Sequence, residues 1–340
     1  MNDISPSERL HRVLHKKAVD RSPVICPGGM MNCATVDVMQ ESGKQFPYAH
    51  SDAALMRELS EIVHKKTGFE NFGVPFCMTV EAEVLGSEIN FGSLECEPKI
   101  QKEIFPSVSQ VDYRNILELL HKGRIETVAE VCYALSKKQP DVPVIGSLTG
   151  PVSTAASIVD PMSFLKELRK DRENSHKCMD YVTEFLIAYA RLLIESGAKI
   201  ITIADPTATG EILGPKMFGE YAVPYLNRII DAIHDASADA IVHICGKTDS
   251  VKKHLVTLHS DAVSTDAVVN LAGLKEEYPD ITVMGNLSTY TLQFNDESIV
   301  QKSTERLLRS NIDIIAPACG LSTSTPLKNI ISMTGTVINN

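Results

Sequence analysis

The stretch SHKCMDYVTEFLIAYARLLIESGAKIITIADPTA, residues 175–208, decides the fold. Its apolar residues first recur at helical spacing, and that pattern stops at Gly197. A short β-branched run follows and ends at Asp205 and Pro206. Apolar residues at consecutive positions imply a strand covered on both faces, as in a parallel sheet flanked by helices. Similar runs recur on either side: PVICPGG (23–29), NFGVPFCMT (71–79), VPVIGSLTG (142–150), AIVHICG (240–246), DAVSTD (261–266), ITVMGNLS (281–288) and DIIAPACG (313–320). Eight runs alternating with helical patterns predict an α/β fold, a closed (β/α)8 TIM barrel rather than an open sheet.

Two segments fall outside that repeat. The first twenty residues read as an amphipathic helix that closes the barrel bottom. Residues 80–141, beginning VEAEVLGSEINFG, read as a small insertion after the second strand, with a β-hairpin before the helices resume. No low-complexity linker divides the chain and no repeat of 20–50 residues is visible, so residues 1–340 are expected to form one domain.

Composition narrows the function. Hydrophobic residues make up 44% and charged residues 22% of the 340, enough for a packed core without staples. A net charge of -10, from 33 Lys+Arg against 43 Asp+Glu, argues against an extended nucleic-acid footprint. No apolar run approaches the roughly 18 residues of a spanning helix and the N-terminus has no signal-like core, so a cytoplasmic protein with no membrane partner is expected. The 8 cysteines lack the dense spacing of secreted domains and are expected to be thiols or ligands rather than disulfides.

Three residues stand out at strand ends, where active sites of such barrels lie. His243 and Cys245 are two apart and share one side of their strand, and Cys319 ends the last run. Taken alone they admit two readings, a metal site assembled from distant segments or two buried thiols and a core imidazole.

The combination HICG, with a later APACG followed by TPLKNI, resembles the cobalamin-dependent methyltransferases that pass a methyl group from a methylated corrinoid protein to coenzyme M, members of the uroporphyrinogen decarboxylase superfamily. FPYAHSDAALM (46–56), CMTVEAEVLGSEINFG (77–92), GSLTGPVSTAASIVD (146–160), ADPTATGEILGPKMF (204–218) and VMGNLS (283–288) extend the likeness over nearly the whole chain. The resemblance implies a Zn2+ ion on His243, Cys245 and Cys319, protein-bound methylcobamide as methyl donor, and a small-molecule thiol as acceptor, with coenzyme M first and a folate as the alternative. Uroporphyrinogen decarboxylases carry an arginine-rich segment after the first strand, whereas CPGGMMNCATVDVMQ (26–40) has no arginine, which disfavours decarboxylation.

Two thiolates and a neutral imidazole cancel the charge of a zinc dication, leaving it able to favour loss of an incoming thiol's proton. Four further residues are candidates under the same resemblance. Asp266 is placed to serve as an exchangeable fourth ligand, or else as an N-cap for the segment near Val268. Asp205 is placed to support His243 by a hydrogen bond or to line the corrin approach, or to cap the segment that follows it. Ser322 and Thr323, in GLSTSTP (320–326) before a helix opened by Pro326, are expected to hold the sulfonate. GGMMNCATV (28–36) and VPFCMTV (74–80) are expected to line the mouth that admits the corrinoid.

Overall fold

The computed structural model describes residues 4–340. Its strands are β1 (Phe72–Val74), β2 (Glu88–Asn90), β3 (Lys99–Lys102), β4 (Val144–Thr149), β5 (Ile200–Ala204), β6 (Asp239–Ile244), β7 (Ala262–Thr265), β8 (Val283–Leu287) and β9 (Ile314–Pro317). Among the described residues, seven of them form one curled parallel sheet in the order β1-β4-β5-β6-β7-β8-β9. Helices occupy each crossover, as a parallel connection requires. β4 and β5 are buried at every position, which is why they read as unbroken apolar runs.

The expected first strand is reduced to a bridge. Val24 pairs in parallel with Ile315 of β9, with Ile25 N–H donating to the Ile315 carbonyl at 3.0 Å and Ile315 N–H to Pro23 at 2.9 Å. On its other side Glu70 N–H reaches the Val24 carbonyl at 2.9 Å. Beyond that point side chains replace the ladder: the Asn71 amide accepts from Cys26 N–H at 2.9 Å and donates to the Cys26 carbonyl at 3.0 Å. The ring therefore closes through residues 23–26 by a short backbone bridge, the Asn71 amide and the Glu70 carboxylate, which accepts from Val24 N–H at 2.9 Å. At this seam the backbones approach closely, since a Cβ at Gly73 would lie 2.5 Å from the Pro27 carbonyl carbon.

The N-terminal helix covers Pro6–Leu14, shorter than the twenty residues expected, and is capped by Ser5, whose hydroxyl accepts from Glu8 N–H. It lies at the N-terminal ends of the strands: Ser7 N–H donates to Asp141 ahead of β4, and His11 and His15 meet Asp239 at the start of β6. Its buried face carries Leu10, Val13 and Leu14, each worth about 1.5–3 kcal/mol of burial. Beside them Arg9 is buried and paired with Asp20 and Glu70.

The deciding helix runs Arg172–Glu195, starting from an Asp171 cap and ending before Gly197, whose φ of +105° suits a residue without Cβ. Cys178, Val182, Phe185, Leu186, Tyr189 and Leu193 form its buried stripe. β2 and β3 are the antiparallel hairpin expected of the insertion after the second strand. One hydrophobic cluster extends from Leu10 to Val337. No described helix is long and apolar enough to cross a membrane.

Candidate metal centre

β6 lies between β5 and β7, in register with both, so that His243 pairs with Ala204 on one side and Ser264 on the other. In-register neighbours on parallel strands project to the same side, and Ser264 Oγ stands 2.9 Å from His243 Nδ1. That contact turns Nε2 toward Cys245 Sγ, 3.2 Å away and two residues further along the chain. Cys319, just past the end of β9, brings its sulfur to 3.7 Å from Cys245 Sγ. The ligand atoms of His243, Cys245 and Cys319 all lie within 4.8 Å of one another. The imidazole is fully buried and the two cysteines are half-buried, so the sulfurs are the more accessible part of the group.

The two sulfurs lie within hydrogen-bond reach of each other, and their acidities are driven apart. Cys319 is held down to about 5 by the hydrogen bond that Cys245 gives it, against the opposing effect of burial and with help from His243. Cys245 is pushed far up, first by donating to Cys319 and then by burial. A divalent ion held between these groups would favour both sulfurs as thiolates, displacing any proton between them. The donor set, two sulfurs and one nitrogen with access on one side, fits zinc with an exchangeable position and is too soft for calcium or magnesium.

A loop from the first strand end lies over the sulfurs. Gly28 and Met31 exchange backbone hydrogen bonds, Gly29 N–H donates to the Pro75 carbonyl at 2.7 Å, and Met30 Sδ lies 3.7 Å from Cys245 Sγ. A Cβ at Gly320 would come within 2.7 Å of the Met30 carbonyl, so the Cys319 loop and this one are closely packed. Met30 is thus the member of the 28–36 segment that reaches the metal group.

Asp266 follows the last residue of β7, and its carboxylate is not among the three clustered ligand atoms. Its Oδ1 accepts from Val268 N–H at 3.2 Å, the local turn weighed as its alternative. Asn286 ties that loop down by donating to the Asp266 and Val269 carbonyls, each at 2.9 Å. The Asp266 charge still helps to raise the Cys245 thiol.

Two expectations need correction. Asp205 makes no side-chain bond to His243; only its backbone N–H meets the His243 carbonyl. Its fully buried carboxylate accepts from Val152 N–H at 3.0 Å and from Ser153 N–H and Oγ at 2.8 and 2.6 Å. It therefore caps the helix Pro151–Ile158, which follows β4, while Ala208 N–H in the segment after Asp205 also bonds to it, and burial raises its pKa to about 6. The anion site at Ser322 and Thr323 is also taken: the first amide of the helix Leu327–Ile338 donates to Asp37 Oδ2 at 2.9 Å. Thr323 Oγ1 donates to the Glu95 carbonyl and the Ser322 hydroxyl pairs with Ser324.

The mouth also holds polar residues that sequence reasoning passed over. Arg124 is 3% exposed and donates to Glu83, to Cys77 Sγ at 3.1 Å and to Thr79 Oγ1 at 2.8 Å, with Phe91 beneath it. Glu81 is fully buried behind β4, accepts from Thr149 N–H at 2.8 Å, and is raised to about 7 by burial. Burial also raises Glu97, bonded to Asn32, to about 8.

Comparison with known proteins places this geometry. The fold, with its candidate metal ligands at the C-terminal ends of the strands, defines an α/β-barrel protein of the uroporphyrinogen decarboxylase (URO-D) family, whose model matches residues 5–339. The methylcobamide:CoM methyltransferase MtbA of Methanosarcina acetivorans is 32% identical over 98% of this chain and 97% of its own length, and the MtaA counterpart of Methanosarcina barkeri is 30% identical over 97% and 96%. A solved methyltransferase structure from Methanosarcina mazei superposes with a TM-score of 0.92 at 28% identity, covering 99% of both chains. A uroporphyrinogen decarboxylase of Prochlorococcus marinus is more distant, 25% identical over 77% of this chain and 78% of its own. The chain belongs to the methylcobamide:coenzyme M methyltransferase family within the uroporphyrinogen decarboxylase group, and it is a methyltransferase.

Proposed function

We propose that the protein is a zinc-dependent methyltransferase that moves a methyl group from methylcobamide on a corrinoid protein to a small-molecule thiol, with coenzyme M as the acceptor. The observation that carries the reading is the meeting of His243, Cys245 and Cys319 ligand atoms within 4.8 Å at the barrel mouth. Methylcobamide:CoM methyltransferases similar over nearly the whole chain support the donor and acceptor classes.

His243 Nε2, Cys245 Sγ and Cys319 Sγ would hold the zinc. When bound, zinc supplies a Lewis acid that favours loss of the acceptor thiol's proton near neutral pH while leaving an electron-rich sulfur. The chain's own part is to prepare that position. Ser264 Oγ orients the imidazole, and with Nε2 facing the sulfurs the Nδ1–H donates to it. The shared contact favours the thiolate on Cys319, and Cys245 would lose its proton if an ion were bound. Met30 shields Cys245 from one side, and the partial exposure of both sulfurs leaves the acceptor an approach. Asp266, on the neighbouring strand, is the group that would fill the fourth position at rest by leaving its turn with Val268. Displacement at the methyl carbon by the acceptor sulfur leaves both bonding electrons on cobalt.

A porphyrinogen decarboxylase would need free cations at the mouth for its carboxylates. The 26–40 segment supplies none, and Arg124 is already engaged by Glu83, Cys77 and Thr79. The test mixes purified zinc-loaded protein with free methylcobalamin and, separately, coenzyme M, other thiols and tetrahydrofolate, following loss of the methyl-cobalt spectrum. Loss with coenzyme M and not with the folate is expected. Loss with the folate alone would move the acceptor assignment.

A further inference from the structure

At the opposite end of the barrel from the metal centre, two histidines and an aspartate converge without any part in the chemistry above. His11 and His15 are one turn apart on the N-terminal helix, so their rings share a face, with centroids 4.2 Å apart. Asp239, the first residue of β6, presents one carboxylate oxygen to each: Oδ2 is 3.3 Å from His11 Nδ1 and Oδ1 is 3.0 Å from His15 Nε2. The three ligand atoms lie within 4.8 Å of one another.

We propose that His11, His15 and Asp239 form a second metal site, for a borderline transition-metal ion of the zinc or nickel class, which fastens the N-terminal helix to the base of β6. Two imidazole nitrogens and one carboxylate oxygen favour such ions over calcium or magnesium, which prefer all-oxygen shells. Both halves of the site are fixed before an ion arrives. The helix is anchored by Arg9 and by Ser7 N–H on Asp141, and Asp239 N–H donates to the Lys199 carbonyl at 3.1 Å. In the metal-free protein each imidazole meets Asp239 by a hydrogen bond, and the ion replaces the protons of those bonds. The rings are 49% and 40% exposed against 14% for Asp239, so one side of the ion faces water. A depression of about 290 Å³ beside His11 and Asp239, lined also by Glu8 and Lys199, gives room for its water ligands. Of these, Glu8 is paired with Arg12, and the Lys199 ammonium is the nearby charge that opposes the ion.

The site is tested by counting. Wild-type protein and the double variant His11→Ala/His15→Ala, both full-length, are dialysed against micromolar free zinc, and bound metal is measured by mass spectrometry. Wild type is expected to hold one more equivalent than the variant, and the single variant Asp239→Asn to lose the same equivalent. The difference stands whether or not the Cys245 and Cys319 site also fills, so a failure here is separable from a failure there. As a second readout, added zinc should raise the melting temperature of wild type more than that of the double variant, because an ion bound only to the folded state stabilises it. Equal metal counts in wild type and double variant, or an extra equivalent that persists in both variants, would overturn the proposal.

Discussion

Ser264 decides which nitrogen of His243 faces the two sulfurs, so its removal should be felt at the metal before it is felt in the fold. Ser264→Ala is expected to weaken zinc retention by about 10–100-fold, the usual effect of losing the partner of a ligating imidazole, with the circular dichroism spectrum unchanged. Competition with a coloured chelator measures it, and unchanged affinity would remove Ser264 from the site. Asp266→Ala is expected to keep zinc through His243, Cys245 and Cys319 and to differ from wild type only when no thiol is present, with water in the vacated position; metal analysis showing zinc retained, with zinc-edge X-ray absorption of both proteins with and without thiol showing the ligand change, tests this. Glu81 makes a prediction of a different kind. Its pKa is raised by burial from 4.5 to about 7, so the folded state keeps a proton that the unfolded chain has lost between those values. Its contribution is therefore fully present below about pH 4.5 and lost as pH rises through about 7. The stability of wild type relative to Glu81→Gln should fall across that window by an amount of order 3 kcal/mol and then level off, which urea titrations at a series of pH values would show.

At the scale of elements, the parts of the fold that were legible in the sequence are those fixed by local pattern. Strands such as Ile200–Ala204, buried throughout, announce themselves as apolar runs, and the helix Arg172–Glu195 as a periodic stripe ended by glycine. What escaped depends on partners far along the chain. The bridge at Val24 and the Asn71 amide that completes its pairing depend on register across the seam. Asp205 caps a helix that begins some fifty residues earlier, and Asp37 caps one near the C-terminus; neither pairing has a local signature. Ser264 escaped for the same reason, since its neighbour in β6 is set by strand pairing. His243, Cys245 and Cys319 were singled out because each stands at the end of an apolar run, and the resemblance supplied their joint role. The element contacts are testable. Asp37→Ala should cost about 1 kcal/mol through the lost cap, and Arg9→Ala about 3–5 kcal/mol by leaving Glu70 buried with less of its compensating charge, both read from urea midpoints.

For the whole molecule, the barrel divides its labour between two ends. The C-terminal ends of β6 and β9 hold the soft ligands under an open mouth, while the N-terminal ends are closed by the helix Pro6–Leu14. Under the proposed function, that division would let the loops above the strands define the acceptor position while the base maintains the ring that holds His243 and Cys319 in place. The central claim is that the metal activates the acceptor thiol rather than water. X-ray absorption at the zinc edge, before and after saturation with coenzyme M, tests it most directly. The account predicts that the number of sulfur ligands rises from two to three, with a proton released at neutral pH. A sulfur count that stays at two at saturating thiol would contradict it, even with His243, Cys245 and Cys319 all bound to the metal.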